Sequence, residues 1–76
     1  MNIMMKKYSI SYKKLWILLI ERDISPVKMR TDLKIATGTM TKLRKNEEVA
    51  LSVLLRICEY LECDLCDVCS FVSNAD

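Results

Sequence analysis

SPVKMRTDLKIATGTMTKLRK, residues 25–45, is the stretch that decides how this chain of 76 residues folds. Met29 and Leu33 stand four positions apart, a spacing that places both side chains on one face of a helix. Ser25 followed by Pro26 is typical of a helix start, because a serine hydroxyl caps free amide groups and proline suits the first helical position. The pattern therefore predicts a helix that begins at Pro26 and ends at Leu33.

The second half of the stretch predicts another short helix. Met40 and Leu43 are three positions apart and share a face of a helix predicted over Thr37–Arg44. Ile35 lies between the two runs, where a turn beginning at Lys34 would tuck an apolar side chain under both helices. Two short helices joined this closely must cross at a steep angle. That arrangement is a helix-turn-helix unit, whose outer face can enter the major groove of DNA.

A helix is also predicted ahead of this unit, over residues 12–23, with Ser11 as its cap. Its buried face is expected to hold Tyr12, Leu15, Trp16, Leu18 and Leu19. Ile17 and Ile20 fall outside that arc. Either an irregular or extended N-terminal arm, residues 1–10, covers them, or they form part of a surface for a partner.

Two further helices are predicted after the unit, over residues 51–61 and 65–72. The apolar stripe of the first is Leu51, Leu54, Leu55, Ile57, Cys58 and Leu61. The second would begin with a capping box formed by Asp64 and Asp67 and would bury one face, made of Leu65, Val68 and Val72. The sequence thus predicts an all-α fold, a compact five-helix bundle.

Length and composition restrict the classes of protein to consider. The chain makes one small domain, expected at residues 11–72 between the arm at 1–10 and a disordered tail at 73–76. No apolar run approaches the roughly 20 residues of a membrane span, and the start resembles no export signal. We therefore expect a cytoplasmic protein without a membrane partner, whose cysteines are mostly reduced.

Charge is distributed unevenly along the chain. Residues 1–46 hold eleven Lys and Arg against three acids, a net of +8, whereas residues 47–76 hold one Arg against seven acids, a net of −6. A basic pole and an acidic pole would orient the molecule on a polyanion such as nucleic acid. The alternative interpretation is two ordinary solvated faces.

The register of apolar residues from 11 to 71 resembles that of Cro/repressor-type (XRE-family) helix-turn-helix DNA-binding domains. The segments that carry the resemblance are ISYKKLWILLIERDISPVKM, LKIATGTMTKLRKN and LSVLLRICEYLECDL. The resemblance implies a lambda-repressor-like bundle of five helices with its third helix in the major groove. It also implies a sequence-specific regulator of transcription that binds double-stranded DNA, with repression as the default role.

The resemblance further implies which residues contact DNA. The expected base contacts, early and outward on the third helix, are Thr37, Gly38, Thr41 and Lys42. The expected phosphate contacts are Ser25, Lys28, Lys34, Thr39, Lys45 and Asn46. Pro26 replaces a common glutamine that contacts the DNA backbone, so this contact would pass to Ser25 or Lys28.

Three other positions depart from the family pattern. Lys34 occupies a turn position that is often glycine, and a left-handed conformation there would cost roughly 1 kcal/mol relative to glycine. Arg30 stands where a tightly packed alanine is common, so its guanidinium must extend outward. Ala36 replaces the usual polar cap of the third helix. These departures affect the detailed contacts rather than the predicted fold.

The four cysteines leave a second interpretation open. Cys58, Cys63, Cys66 and Cys69 are spaced C-x4-C-x2-C-x2-C, which is compatible with a zinc or iron–sulfur site or a redox switch. The alternative is structural thiols, with Cys58 on the core stripe and Cys66 and Cys69 on one face of the last helix. We expect no bound metal and no cofactor, but a redox-responsive or metal-responsive regulator stays an alternative function.

The sequence offers no catalytic constellation. It has no histidine, no Gly-rich phosphate loop and no evident carboxylate pair, so we expect neither an enzyme nor a small-molecule substrate. The competing function is a protein-interaction module on the same fold. The expected partners are double-stranded DNA and a second copy of the chain, paired in solution or only on DNA. Candidate dimer surfaces are Ile17 and Ile20 with the arm, or Phe71 and Val72.

Overall fold

The structure is a computed structural model that describes residues 7–74. Within that range the order of elements is β1 (Tyr8–Ser11), α1 (Lys13–Glu21), α2 (Pro26–Leu33), α3 (Thr37–Arg44), α4 (Leu51–Leu61), a 3-10 turn (Leu65–Asp67) and β2 (Ser70–Ser73). The fold is mostly helical, with four α-helices and one small sheet. In the same range, no helix combines the length and apolar character needed to cross a membrane.

The α2–α3 unit begins and ends as its sequence predicts. The Ser25 hydroxyl accepts a hydrogen bond from the Lys28 amide at 3.0 Å, which confirms the predicted cap, and Pro26 is the first residue of α2. Lys34 ends α2 in the left-handed region with φ of 55°. Lys34 therefore bears the cost of a left-handed conformation at a turn position that is often glycine in the family, and Ala36 is the N-cap of α3 without a side-chain hydrogen bond.

The core confirms that the two short helices share one apolar interior. Met29, Ile35, Met40 and Leu43 are buried, while Leu33 is half-buried and packs against them. The remaining members of the buried core come from α1, α4 and the last turn, and are Tyr12, Leu15, Leu19, Leu54, Ile57, Cys58, Leu61 and Val68. This packing fixes α3 to the body of the domain by one face.

The prediction of a fifth helix over residues 65–72 is wrong. The capping box of Asp64 and Asp67 is present, with the Asp67 carboxylate accepting from the Asp64 amide at 3.0 Å, but it opens only the 3-10 turn. The following residues form β2, because its amides and carbonyls pair with a strand from the other end of the described chain. Val68 is buried as expected, whereas Leu65 and Val72 are exposed.

The sheet consists of two antiparallel strands, β1 and β2, with Tyr8 opposite Ser73 and Ser11 opposite Ser70. The prediction of an all-α fold is therefore inexact. Residues 8–10, which were assigned to the arm, belong to β1; residues 1–6 and 75–76 lie outside the described range. The division into an arm at 1–10, a domain at 11–72 and a tail at 73–76 stays a prediction. The strands of the sheet, at 8–11 and 70–73, extend across the boundaries between these regions.

Helix α1 is shorter than predicted. It covers Lys13–Glu21 and is preceded by Tyr12 as N-cap rather than by Ser11, whose hydroxyl still accepts from the Lys13 amide at 3.3 Å. The predicted inner face is confirmed. Its buried members are Tyr12, Leu15 and Leu19, and Trp16 and Leu18 are half-buried against the core. Ile17 and Ile20, which fell outside that face, are exposed.

Helix α4 has its predicted bounds but a narrower buried stripe. Leu54, Ile57, Cys58 and Leu61 are buried. The expectation that Leu51 and Leu55 join them is wrong, since both are exposed, whereas Val53 and Tyr60 are half-buried against the core. The turn after α4 therefore leaves part of the apolar side of this helix uncovered.

Candidate nucleic-acid interface

The four predicted base-contacting residues lie together on the outward face of α3. Thr37, Gly38, Thr41 and Lys42 are all exposed. They share this orientation because Met40 and Leu43, on the opposite side of the same helix, are buried in the core. Helix α3 thus presents a continuous polar face to the solvent.

The hydroxyl of Thr41 is partly used within the helix. Its Oγ1 donates a hydrogen bond to the Thr37 carbonyl oxygen at 3.1 Å. The hydroxyl proton is therefore occupied, and an external group would meet the remaining acceptor lone pair and the methyl group. In this rotamer Thr41 is suited to accept from a donor or to contact another methyl group.

Gly38, the single glycine of the chain, is not required by the packing of the domain. Its φ is not positive. Apart from its two chain neighbours and the backbone of its own helix, a Cβ at this position would meet no heavy atom of residues 7–74 within 4 Å. Glycine is unfavourable in a helix relative to alanine, so its presence here is not explained by a turn or by a close contact within the described part of the protein.

The predicted phosphate-contacting residues flank this face at both ends. Lys34 lies in the turn before α3 and Lys45 directly after it, and both side chains are exposed. Ser25 is exposed, but its hydroxyl already accepts from the Lys28 amide. Thr39, on α3 itself, is half-buried. Two lysines of the set therefore point into solvent beside the outward face.

Lys28 is engaged in an ion pair on α2. Its Nζ lies 2.9 Å from the Asp32 carboxylate, which also accepts from the Tyr60 hydroxyl at 2.6 Å. Hydrogen bonds from Tyr60 and Lys28 lower the pKa of Asp32, and the bond to Asp32 raises the pKa of Lys28. To contact a phosphate, Lys28 would have to exchange or share this carboxylate partner.

Asn46 has a role inside the protein that the sequence did not reveal. Its Oδ1 accepts from the Tyr12 backbone amide at 3.0 Å, and the Tyr12 hydroxyl donates to the Glu47 carbonyl at 2.8 Å. Burial raises the pKa of the Tyr12 hydroxyl. Tyr12 thereby ties the start of α1 to the segment after α3, and the amide NH2 is the part of the Asn46 side chain that can donate to a phosphate.

A second contact that sequence reasoning missed also holds α3 in place. The Arg44 guanidinium lies 5.6 Å from the centroid of the Trp16 ring, within the range of a cation–π interaction. The two residues are far apart in the chain, so no local spacing indicates the pair. The contact joins the end of α3 to α1.

The α2–α3 unit is strongly basic. Residues 25–46 contain six Lys and Arg and one acid, Asp32. Because that acid is already paired with Lys28, the remaining cations give the unit a positive surface. Such a surface attracts a polyanion through an interaction that weakens with salt.

Comparisons with known proteins agree with this geometry. The family model for a Cro/C1-type helix-turn-helix DNA-binding domain matches residues 14–74. The chain belongs to this family. The predicted resemblance to Cro/repressor-type domains is thereby confirmed. The chain is also similar to the crystal structure of the transcriptional regulator VanUg, with 42% identity and a TM-score of 0.89, over 97% of this chain and 99% of that one. No curated protein matches the chain.

The sheet of this helix-turn-helix protein stands beside α3. Tyr8 of β1 and Phe71 of β2 line an open groove of about 980 Å³ together with Lys42 and Asn46. Both aromatic side chains are largely exposed. The sheet therefore borders the C-terminal half of the outward α3 face.

The cysteines are all free thiols in this structure. Cys58 is buried and Cys66 is exposed, whereas Cys63 and Cys69 are half-buried. Cys66 and Cys69 do not share a helical face, because the predicted last helix is absent. Burial raises the pKa values of Cys63 and Cys69 and brings that of Cys58 to about 11. Within residues 7–74, no three metal-ligating side chains are grouped to hold an ion.

Proposed function

We propose that the protein is a sequence-specific regulator of transcription that binds double-stranded DNA and reads the major groove with α3. The observation that carries the proposal is the exposed polar face of α3 in a domain of the Cro/C1-type helix-turn-helix family. The similar solved structure is that of a transcriptional regulator. Repression is the role we propose, because a DNA-binding domain that occupies its site can block polymerase by its presence alone.

The side chains of α3 suit particular base edges. Lys42 can donate to N7 and O6 of guanine, and Thr41, whose proton is bonded to the Thr37 carbonyl, can accept from N6 of adenine or N4 of cytosine. The threonine methyl groups can contact the methyl group of thymine. A good bidentate base contact contributes about 1–3 kcal/mol of discrimination, and these single contacts belong at the low end of that range.

Phosphate contacts would supply much of the affinity. Lys34 and Lys45 are exposed at the two ends of the α3 face, and Lys28 would exchange its bond to Asp32 for a phosphate. Ser25, Thr39 and the amide of Asn46 complete the proposed set. Because each neutralised phosphate releases counterions, the logarithm of affinity should fall linearly with the logarithm of salt concentration. An affinity that does not change with salt concentration would contradict the proposed phosphate contacts.

The decisive experiment begins with selection of bound duplexes from a random pool, followed by titration of the selected duplex. Replacing Thr37, Thr41 and Lys42 together with alanine should abolish specific binding and leave the helical content measured by circular dichroism unchanged. A control with Ser52 and Glu59 of α4 replaced by alanine should bind as the original protein does. Specific binding that survives the triple replacement would show that α3 is not the reading helix.

We also propose that the protein pairs with two-fold symmetry on its site, since a single domain contacts few base pairs. Two exposed apolar pairs are candidate contacts, Ile17 with Ile20 on α1 and Phe71 with Val72 on β2. Sedimentation velocity with and without the selected duplex separates pairing in solution from pairing on DNA. A 1:1 complex at saturation would refute the two-fold arrangement.

A further inference from the structure

An open apolar groove runs along α4 and the turn that follows it, apart from the α3 face. Its volume is about 590 Å³. Leu51, Leu55 and Leu65 line it and are exposed by 69%, 58% and 40%, while Cys58 lies buried beneath them. These three large apolar side chains are exposed together along one groove, which makes the groove a candidate interaction surface.

Acidic side chains line one end of this groove. Glu59, Glu62 and Asp64 are among its lining residues, and no basic side chain of residues 7–74 lines it. Arg22 lies close to that end, and its guanidinium donates to the Leu61 carbonyl oxygen at 2.6 Å. The C-terminal end of a helix also carries partial negative charge. The groove therefore combines an apolar half with a negative half.

The residues of α4 in the groove form a single stripe. Leu51, Leu55 and Glu59 follow one another at intervals of four positions, which keeps them on one face of α4, and Glu62 is the left-handed residue that ends the helix. From Leu51 to Glu59, at 1.5 Å per residue, the stripe is about 12 Å long, slightly more than about two turns of a second helix. An amphipathic helix that lies in such a groove uses anchors at intervals of three or four residues.

We propose that this groove binds an amphipathic helix of a partner protein, with Leu or Ile anchors on Leu51, Leu55 and Leu65 and with Lys or Arg residues against Glu59, Glu62 and Asp64. Charge complementarity selects this occupant: an acidic helix would be repelled from one half of the groove, and an uncharged one would leave that half without a partner. The groove shares no residue with the outward face of α3, so the two surfaces are chemically separate.

The test uses the full chain and a fluorescent 14-residue helical peptide that carries Leu at intervals of three and four and Lys on the flanks of the Leu stripe. A second peptide with Glu in place of Lys is the matched control. Fluorescence anisotropy should show tighter binding of the Lys peptide. Leu55→Asp should weaken that binding by about tenfold, the effect of losing a central anchor, whereas Val27→Asp, at an exposed position on α2, should leave it unchanged.

Charge reversal supplies the second arm of the test. Glu59→Lys should weaken binding of the Lys peptide and strengthen binding of the Glu peptide, and Glu21→Lys on α1 should do neither. Circular dichroism checks that each variant is folded, and Leu51→Ser replaces Leu55→Asp if the latter is not. Equal binding of the two peptides, or equal loss in the Leu55 and Val27 variants, would overturn the proposal. So would self-association in sedimentation that Leu55→Asp abolishes, because a second copy would then occupy the groove.

Discussion

Replacing Gly38 with alanine separates the cost of this glycine to the fold from its part in DNA binding. Gly38 is the second residue of α3, has no positive φ, and leaves open space where a Cβ would stand among residues 7–74. Alanine is favoured over glycine in a helix by about 0.5–1 kcal/mol, and no steric clash offsets that gain. We therefore expect the free energy of unfolding to rise by about this amount, with Tm rising by about 2–8 °C.

The same substitution should act in the opposite direction on the proposed DNA complex. If glycine is retained because the α3 backbone approaches the duplex closely, the added methyl group occupies that space and affinity for the selected duplex falls. Thermal unfolding and urea titration measure the first effect, and anisotropy with labelled duplex measures the second. Ser52→Gly, at the matching position of α4, is the control: it should lower stability and leave DNA affinity unchanged.

The two outcomes refute different statements. A Tm that stays constant or falls would contradict the argument that the space beside Gly38 is open and that its cost is conformational. A more stable variant with unchanged affinity would show instead that the backbone of α3 does not approach DNA closely at this position. The proposed reading face would then have to depend on Thr37, Thr41 and Lys42 without a close backbone contact.

Three further predictions follow from the structure. Lys34→Gly should raise the free energy of unfolding by about 1 kcal/mol, because it relieves the left-handed conformation of a residue with a Cβ; a decrease in urea titration would contradict this. Tyr12→Phe should lower the free energy of unfolding by about 1 kcal/mol, because it removes the hydrogen bond to the Glu47 carbonyl. This decrease should exceed that of Tyr60→Phe, because the hydrogen bond of Tyr60 is exposed. Burial raises the pKa of the Cys58 thiol to about 11, so above pH of about 8.5 the native state binds more protons than the unfolded chain. Stability should therefore fall between pH 8.5 and the higher pKa, and Cys58→Ala should show a shallower fall in urea titrations at pH of about 8 and 9.5.

The helices that the sequence predicts best are those whose signals are local. The bounds of α2 follow from the Ser25 cap, from Pro26 at the first position and from the spacing of Met29 and Leu33. The bounds of α3 and α4 follow from similar periodicity. These signals lie within a turn or two of the backbone they determine, so no knowledge of distant parts of the chain is needed.

Strand β2 does not follow from the local sequence, because the strand with which it pairs is distant in the chain. Leu65, Val68 and Val72 have a spacing that also suits a helix, and nothing nearby in the chain contradicts it. Hydrogen bonds to β1, about sixty residues earlier, decide the outcome for Ser70–Ser73. A pattern of apolar residues contains no information about which remote strand supplies those bonds.

The sequence also does not determine how much of a helical face is buried or which side chains and backbone groups form hydrogen bonds with each other. Helical periodicity indicates the direction in which Leu51 and Leu55 point, but the amount of neighbouring structure decides whether they are covered. For Asn46, the resemblance implied a phosphate contact, whereas the structure uses its Oδ1 to hold the Tyr12 amide. A residue 34 positions away that needs an acceptor cannot be recognised from the sequence around Asn46.

The pairing of β1 with β2 also determines where anything joined to the domain would emerge. The strands are antiparallel, and the Asn74 amide donates to the Lys7 carbonyl at 2.7 Å, so both ends of the described chain leave from one corner. Tyr8 and Phe71, near that corner, line a groove together with Lys42. Segments that continue from Lys7 and from Asn74 therefore begin at the same corner of the domain, and binding measurements should use a protein from which any tag has been cleaved.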